Sequence, residues 1–235
     1  MVGAIIVSGG RGRRMGSEIP KQYLKLDGQP VLIHTLRVFD EADGIDTIVL
    51  VLAKEEWEAF RNLPYKFRKT IHLAEGGVER QDSVRNGLDK LTEIGKPEIV
   101  FVHDGARPLI TKEIITDGLD CYQAHGDCAC GVVPKDTIKV RGADGYAVKT
   151  LDRKELFAVQ TPQIFSFDAL CEAHRRLSEE GILVTDDTMV VERYGGKVYL
   201  YEGSYENIKI TTKDDLIVAE NILKTRRTKE TEKKI

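Results

Sequence analysis

The chain has 235 residues, 41% of them hydrophobic and 31% charged, with 35 Lys plus Arg against 38 Asp plus Glu and a formal net charge of −3. Such a composition belongs to a globular chain, and the length allows one large domain with a substantial core. The even charge balance excludes general nucleic-acid binding, which needs a broad basic face, and no apolar run approaches the roughly 18 residues of a membrane span.

The opening MVGAIIVSGG has no basic stretch ahead of its apolar one, so it reads as a first strand over residues 2–8 and not as a secretion signal. It runs into GGRGRRMGSEIPKQYLK, Gly9 to Lys25, where Arg11, Arg13, Arg14, Lys21 and Lys25 face one anion, Glu18. A glycine-rich turn after a strand lets backbone N–H groups approach an anion without a Cβ in the way. The Walker spelling is absent, and the dinucleotide fingerprint fails at Met15. The second strand ends in Ala53-Lys54, without the acidic residue a ribose needs. A solvated basic loop is the bland reading. The glycines, their place after the strand and the local excess of cations favour a nucleoside triphosphate, with Arg forks and Lys point charges on its oxygens.

Helical patterns follow near 30–41, 55–62, 80–92 and 111–125, alternating with strand candidates at 46–53, 69–75, 98–104 and 128–134. In the third helix Val84, Leu88 and Leu91 recur at helical spacing. Apolar strands alternating with helices predict a mostly parallel sheet covered on both faces, with ligands outside the carboxyl ends of its strands. The loops after residues 8, 75 and 104 are therefore the places to look.

The strand at 69–75 leads into EGGVERQDSVRNGL, where Gly76-Gly77 admits a planar base whose edge Ser83 can read. Asp82 or Ser83 can equally cap the helix that follows. The strand at 98–104 ends in HDGARPL. Asp104 there is a magnesium-ligand candidate, since Mg²⁺ combines one or two carboxylates with phosphate oxygens; a turn with Gly105 is the alternative. His103 alternates with Asp104 and is expected in the core. Cys121, Cys128, Cys130 and Cys171 form no C-x-x-C, which points to reduced thiols in a cytoplasmic protein and not to zinc.

Residues 135–156 break the alternation, reading as two strands around Gly142-Ala143-Asp144-Gly145. A lone two-stranded ribbon is marginal in water, so it is expected to pack on a second subunit, with its own domain as the alternative. A helix (166–180), a strand (197–203), NIKIT (207–211) and a helix from about 213 complete a single domain spanning 1–235. No Ser-His-Asp or Cys-His arrangement suggests itself. A phosphate nucleophile is already anionic near neutral pH and needs no general base, so catalysis reduces to positioning and charge neutralisation.

Taken in order, GxGxRM, PKQY, GGxxRxxSVxxGL, HDxARP, DT, DR, TPQxF, TDD and NIKIT resemble the 2-C-methyl-D-erythritol 4-phosphate cytidylyltransferase family over essentially the whole chain. The resemblance implies a Rossmann-like nucleotidyltransferase fold with a protruding β-arm, a homodimer, and a Mg²⁺-assisted reaction of CTP with a polyol phosphate. It implies catalytic roles for Arg14, Lys21 and Lys209, and Asp104 on the metal. Ser8, Gly9, Gly10, Gly12, Gly77, Arg80, Ser83 and Asp104 are expected around the nucleotide. Thr137, Arg153, Thr161 and Thr185 are expected around the acceptor, although Thr185 can also serve only as an N-cap at Asp186-Asp187. The chain departs from the family spelling at Val7-Ser8-Gly9-Gly10, usually Pro-Ala-Ala-Gly, and at Gly105, usually Ala. A pentitol phosphate such as ribitol 5-phosphate is the rival acceptor. A non-catalytic nucleotide-binding module and a sugar-1-phosphate uridylyltransferase are the more distant readings.

Overall fold

The computed structural model describes residues 1–10 and 20–232, so Arg14 and Gly12 lie outside the described residues. Strand β1 (Val2–Val7) is followed by the two-residue pieces β2 (Lys25–Leu26) and β3 (Gln29–Pro30), then helix α1 (Val31–Glu41) and strand β4 (Thr47–Leu52). Next come helix α2 (Trp57–Arg61), β5 (Ile71–Glu75), α3 (Arg80–Ile94), β6 (Ile99–Asp104), α4 (Lys112–His125) and β7 (Cys128–Val132). The ribbon is β8 (Lys139–Arg141) with β9 (Ala147–Thr150). The chain closes with β10 (Ala158–Ser166), α5 (Phe167–Glu180), α6 (Asp187–Arg193), β11 (Tyr199–Glu202) and α7 (Lys213–Glu232).

The main sheet runs β11-β7-β10-β6-β1-β4-β5, with every neighbouring pair parallel except those of β10, which is antiparallel to both β6 and β7. Its central strands are apolar throughout because both faces are covered. Ala4 and Ile6 of β1 face Leu32, Leu36 and Phe39 of α1 and Ile114 of α4. Ile5 between them faces Val84, Leu88 and Leu91 of α3, with Leu170 of α5 in the same cluster. The period of two thus divides each strand between two helix layers. A third cluster joins Leu26, Val31, Leu109 and Ile210 to Ala219 of α7. It fastens the segment after the first loop to the NIKIT segment. Cys121, Cys128 and Cys130 are buried free thiols, and burial pushes Cys130 up to about 12, so they pack as small protonated side chains.

The structure adds to or corrects the sequence reading at β10, at NIKIT and at two helix caps. The nine-residue strand β10 has no counterpart among the expected strands, because Pro162 within AVQTPQIFS reads as a strand breaker. Its pairing with β7 shifts register between Val159 and Gln163, and that irregularity accommodates the proline inside a sheet. NIKIT is irregular, docked by Ile210 N–H donating to the Ala106 carbonyl at 2.8 Å. Helix α6 is capped by Asp186, whose side chain accepts from Met189 N–H, so the Thr185 cap is corrected by one residue. The α3 cap is likewise Glu79, in a capping box with Asp82, and not Asp82 or Ser83.

Strand β1 lies between β4 and β6, and the connections leaving β1 and β6 turn to opposite sides of it. This is the topological switch point at which open α/β sheets hold ligands. The β8–β9 ribbon forms a separate sheet with every strand residue exposed. No helix among the described residues is long and apolar enough to cross a membrane.

Candidate active site

A cavity of about 900 Å³ opens over the carboxyl ends of β1, β5 and β6, the ends marked by residues 8, 75 and 104. Its wall is made by Ser8, Gly9 and Gly10 after β1, by Gly76, Gly77, Glu79, Arg80 and Ser83 around the start of α3, and by Lys21, Asp104 and Lys209. Gly9 and Gly76 meet backbone to backbone: a Cβ on Gly9 would stand 3.0 Å from the Gly76 Cα. That contact favours glycine and brings the first loop close against the turn after β5. Gly77 N–H donates to Ser83 Oγ at 3.0 Å, and Ser83 Oγ–H donates to the Glu79 carbonyl at 3.3 Å, which holds the glycine turn against the helix start.

On the floor stands Asp104, 7% exposed. Its Oδ1 is 3.3 Å from Arg80 Nε, and its Oδ2 is 2.8 Å from Lys209 Nζ and 3.7 Å from Arg107 Nε. Burial by itself raises the Asp104 pKa, but Arg80, Lys209 and Arg107 outweigh it and hold the carboxyl well below the usual carboxylate range. Arg80 continues the chain of charges, with Nη1 2.6 Å from Asp187 Oδ2, while Asp187 Oδ1 lies 3.0 Å from His174 Nε2. Burial lowers the Arg80 pKa, and Asp187 and Asp104 more than offset it, so the guanidinium keeps its proton. Asp187 is 1% exposed and its pKa is also depressed, burial being outweighed by Arg80 and His174. Gln163 fixes this corner: its Nε2 donates to Asp186 Oδ2 at 2.9 Å, and its Oε1 accepts from Asp187 N–H at 3.1 Å.

Behind Asp104 a neutral chain sets its orientation. Asp104 N–H donates to Thr161 Oγ1 at 3.0 Å, and Thr161 Oγ1 is also 3.0 Å from His103 Nδ1. His103 Nε2 is 3.4 Å from the Arg107 carbonyl, which can only accept. The proton therefore belongs on Nε2, and Thr161 donates to Nδ1. His103 is fully buried, as expected, and desolvation pushes it down to about 3.

Lys21 follows Pro20 in a short 3₁₀ turn, with Nζ 3.4 Å from the Ile210 carbonyl. The turn is anchored by its neighbour Gln22, 2% exposed, whose Nε2 donates to Glu56 Oε2 at 2.7 Å. Burial raises the Glu56 pKa, opposed by that bond. The Arg107 guanidinium holds the other lysine's segment, Nη1 donating to the Asn207 carbonyl at 2.7 Å.

Of the residues picked from sequence, the fold brings Ser8, Gly9, Gly10, Lys21, Gly77, Arg80, Ser83, Asp104 and Lys209 to one cavity. Thr161 stands behind it, 4% exposed, its hydroxyl committed to Asp104 and His103. Thr137, Arg153 and Thr185 are exposed and absent from the cavity wall. Arg153 Nη1 donates to the Lys135 carbonyl at 2.6 Å, closing the base of the ribbon. Sequence reasoning missed Asp187, His174, Arg107 and the Glu56–Gln22 anchor. Arg107 was within reach of it, three residues after Asp104 in HDGARPL. Asp187 stands in TDD, two residues after the candidate Thr185.

The family model of 2-C-methyl-D-erythritol 4-phosphate cytidylyltransferase (IspD) matches residues 2–225. The enzyme of that name from Clostridium kluyveri is 49% identical over 225 residues, covering 94% of this chain and 96% of the relative. Among solved structures, the 4-diphosphocytidyl-2C-methyl-D-erythritol synthase of Anaerococcus prevotii aligns with a TM-score of 0.86 at 29% identity, over 95% of this chain and 96% of that one. The Francisella tularensis 2-C-methyl-D-erythritol 4-phosphate cytidylyltransferase aligns at 0.79 and 33% identity, over 93% and 97%. The chain belongs to the 2-C-methyl-D-erythritol 4-phosphate cytidylyltransferase family.

Proposed function

We propose that this chain transfers CMP from CTP to 2-C-methyl-D-erythritol 4-phosphate, giving 4-diphosphocytidyl-2-C-methyl-D-erythritol and pyrophosphate, in the non-mevalonate isoprenoid pathway. The observation that carries the reading is the single cavity at three strand ends that collects Lys21, Arg80, Asp104 and Lys209. An acceptor phosphate oxygen forms a bond to the α-phosphorus as the bond from that phosphorus to the bridging oxygen of the β-phosphate breaks. The nucleophile is already ionised near neutral pH, so no proton has to be removed. Lys21 and Lys209 would neutralise charge as it spreads over the equatorial oxygens, with Arg14 assigned the same task. The cytosine ring would lie against the cavity wall at Gly9, Gly76 and Gly77, with Ser83 holding the Gly77 turn.

Magnesium belongs to the proposal. Among the described residues no cluster of His, Cys, Asp and Glu forms a protein-only cage. That fits an ion held mostly by phosphate oxygens with one carboxylate, Asp104. Both Asp104 oxygens already face cations, so the ion would have to displace Lys209 or Arg107 from Oδ2. When bound, it supplies charge neutralisation on the triphosphate. The acceptor would be gripped by Thr137 and Arg153, brought from the ribbon of a second subunit in a homodimer, and by Thr185; Thr161 would serve it through Asp104. We place the reaction in the cytoplasm.

Pyrophosphate release from CTP and Mg²⁺ with 2-C-methyl-D-erythritol 4-phosphate, run beside ribitol 5-phosphate, tests the reading. Turnover with the first acceptor alone is expected. Turnover with the second alone would keep the chemistry and overturn the pathway.

A further inference from the structure

We propose that Ser8 and Gly105 act as one steric unit that sets the spacing between the first loop and the Asp104 carboxylate, so that residue 105 can carry a side chain only when residue 8 lacks its hydroxyl. A Cβ built on Gly105 would stand 1.9 Å from Ser8 Oγ and 3.2 Å from Ser8 Cβ. The first distance is far inside any atomic contact. Gly105 is not among the glycines with positive φ, so its backbone is open to any L residue and the obstacle is space alone. The next contact, Leu32 Cδ1 at 3.3 Å, is the end of a flexible side chain.

Ser8 is 8% exposed, and its Oγ has no hydrogen-bond partner among the described residues. That hydroxyl fills the volume a side chain at residue 105 would occupy. Neither backbone can retreat. Ser8 N–H donates to the Val51 carbonyl at 2.9 Å, and Gly105 N–H donates to the Val7 carbonyl at 2.9 Å. The Gly105 carbonyl accepts from Thr35 Oγ1 at 2.9 Å. With the Ser8 hydroxyl in its observed rotamer the clash cannot be absorbed, and turning the hydroxyl away still leaves Ser8 Cβ 3.2 Å from the new methyl, so the first loop has to give beside Asp104. Ser8 and Gly105, two of the positions at which the chain departs from the family spelling, thus lie side by side.

The proposal rests on the cytidylyltransferase reading for its effect on turnover, but its core is testable without it. The full-length parent, Ser8→Ala, Gly105→Ala and the double variant are compared by thermal unfolding, by CTP titration with Mg²⁺, and by kcat and KM. Gly105→Ala is expected to lower Tm by about 4–8 °C through overpacking and to weaken CTP binding about tenfold, with a matching fall in kcat. Adding Ser8→Ala restores at least half of each loss. Should Gly105→Ala fail to fold, a double variant that folds with near-parental Tm supports the pair, and one that also fails overturns it. Losses that simply add, as at independent sites, overturn it as well. So does a tenfold loss of CTP affinity in Ser8→Ala with Tm unmoved in Gly105→Ala, which would make the hydroxyl a ligand contact. A parent that binds no CTP would refute the functional reading, and the Tm cycle would still decide the coupling.

Discussion

The floor of the cavity and the β8–β9 ribbon carry the two halves of the expected site in opposite ways. Around Asp104 every charged group is buried or half-buried and held by partners from distant parts of the chain: Arg80 from α3, Asp187 from α6, Lys209 from the segment before α7. On the ribbon, Thr137 and Arg153 are exposed, and the bond from Arg153 to the Lys135 carbonyl is local. The floor is built by this chain alone. On the proposed reading the ribbon would become a site only against a second subunit, to which its exposed Val140, Tyr146 and Val148 would offer apolar contact. The difference predicts that floor variants lose stability and turnover together, whereas ribbon variants lose acceptor binding alone.

The largest effect is expected for Asp104→Asn. It leaves Arg80, Lys209 and Arg107 without the carboxylate that gathers them. Removing one member of a buried ionic group costs about 3–5 kcal/mol, and losing a positioned charge at a reacting phosphate lowers kcat on the order of a hundredfold. Denaturant unfolding and steady-state kinetics read both. Unchanged stability would mean the three cations repel one another less than their closeness implies.

Asp187→Asn comes next. It takes one of two carboxylates from Arg80 and the partner of His174, with an expected cost of about 3 kcal/mol and a KM for CTP raised several-fold. The side chain at 187 is 1% exposed and the cavity wall does not include it, so any effect on CTP has to pass through Arg80. A KM that holds while stability falls would break that link.

These two residues also show what sequence can and cannot reveal. The parallel strands were legible because apolar runs between helices need only local pattern, and the strand ends then named the cavity. Lys21 was legible as a cation beyond the loop that follows the first strand and Asp104 as a carboxylate at a strand end, whereas Arg80 and Lys209 were implied only by the family resemblance. The partnership of Asp187 with Arg80 spans 107 positions, and no periodicity encodes a contact at that range. Strand β10 was hidden by its own proline, since a breaker inside a sheet is tolerated only where pairing shifts.

A smaller effect follows from His103. Its pKa lies at about 3 in the folded chain against 6.5 ordinarily, so between these values the unfolded chain takes up a proton the folded chain refuses. Stability is therefore complete above pH 6.5 and falls as pH drops, by about 1.4 kcal/mol per unit inside the window. Asp104, depressed from its ordinary 3.8, adds the same sign of slope only below that pH. His103→Gln should flatten the profile between pH 6.5 and 4.5 while lowering its plateau. A parent profile flat across that range would place the proton on the folded imidazole and undo the chain from Asp104 N–H through Thr161 to His103.

The smallest effect on stability, and the sharpest test of the comparison, belongs to Arg153→Ala. The side chain is exposed and its removal touches one carbonyl at the ribbon base, so unfolding should shift by no more than about 0.5 kcal/mol. If a partner subunit's ribbon completes the acceptor pocket, KM for the polyol phosphate rises tenfold or more while KM for CTP stays within twofold. Mixing this variant with an Asp104→Asn variant then separates the two regions outright. Each homodimer has one damaged half-site component in both pockets, but a heterodimer that exchanges ribbons joins an intact floor to an intact ribbon in one pocket. Recovered turnover on mixing means the halves come from different chains. Mixtures that never exceed the sum of their parts mean the ribbon serves its own floor.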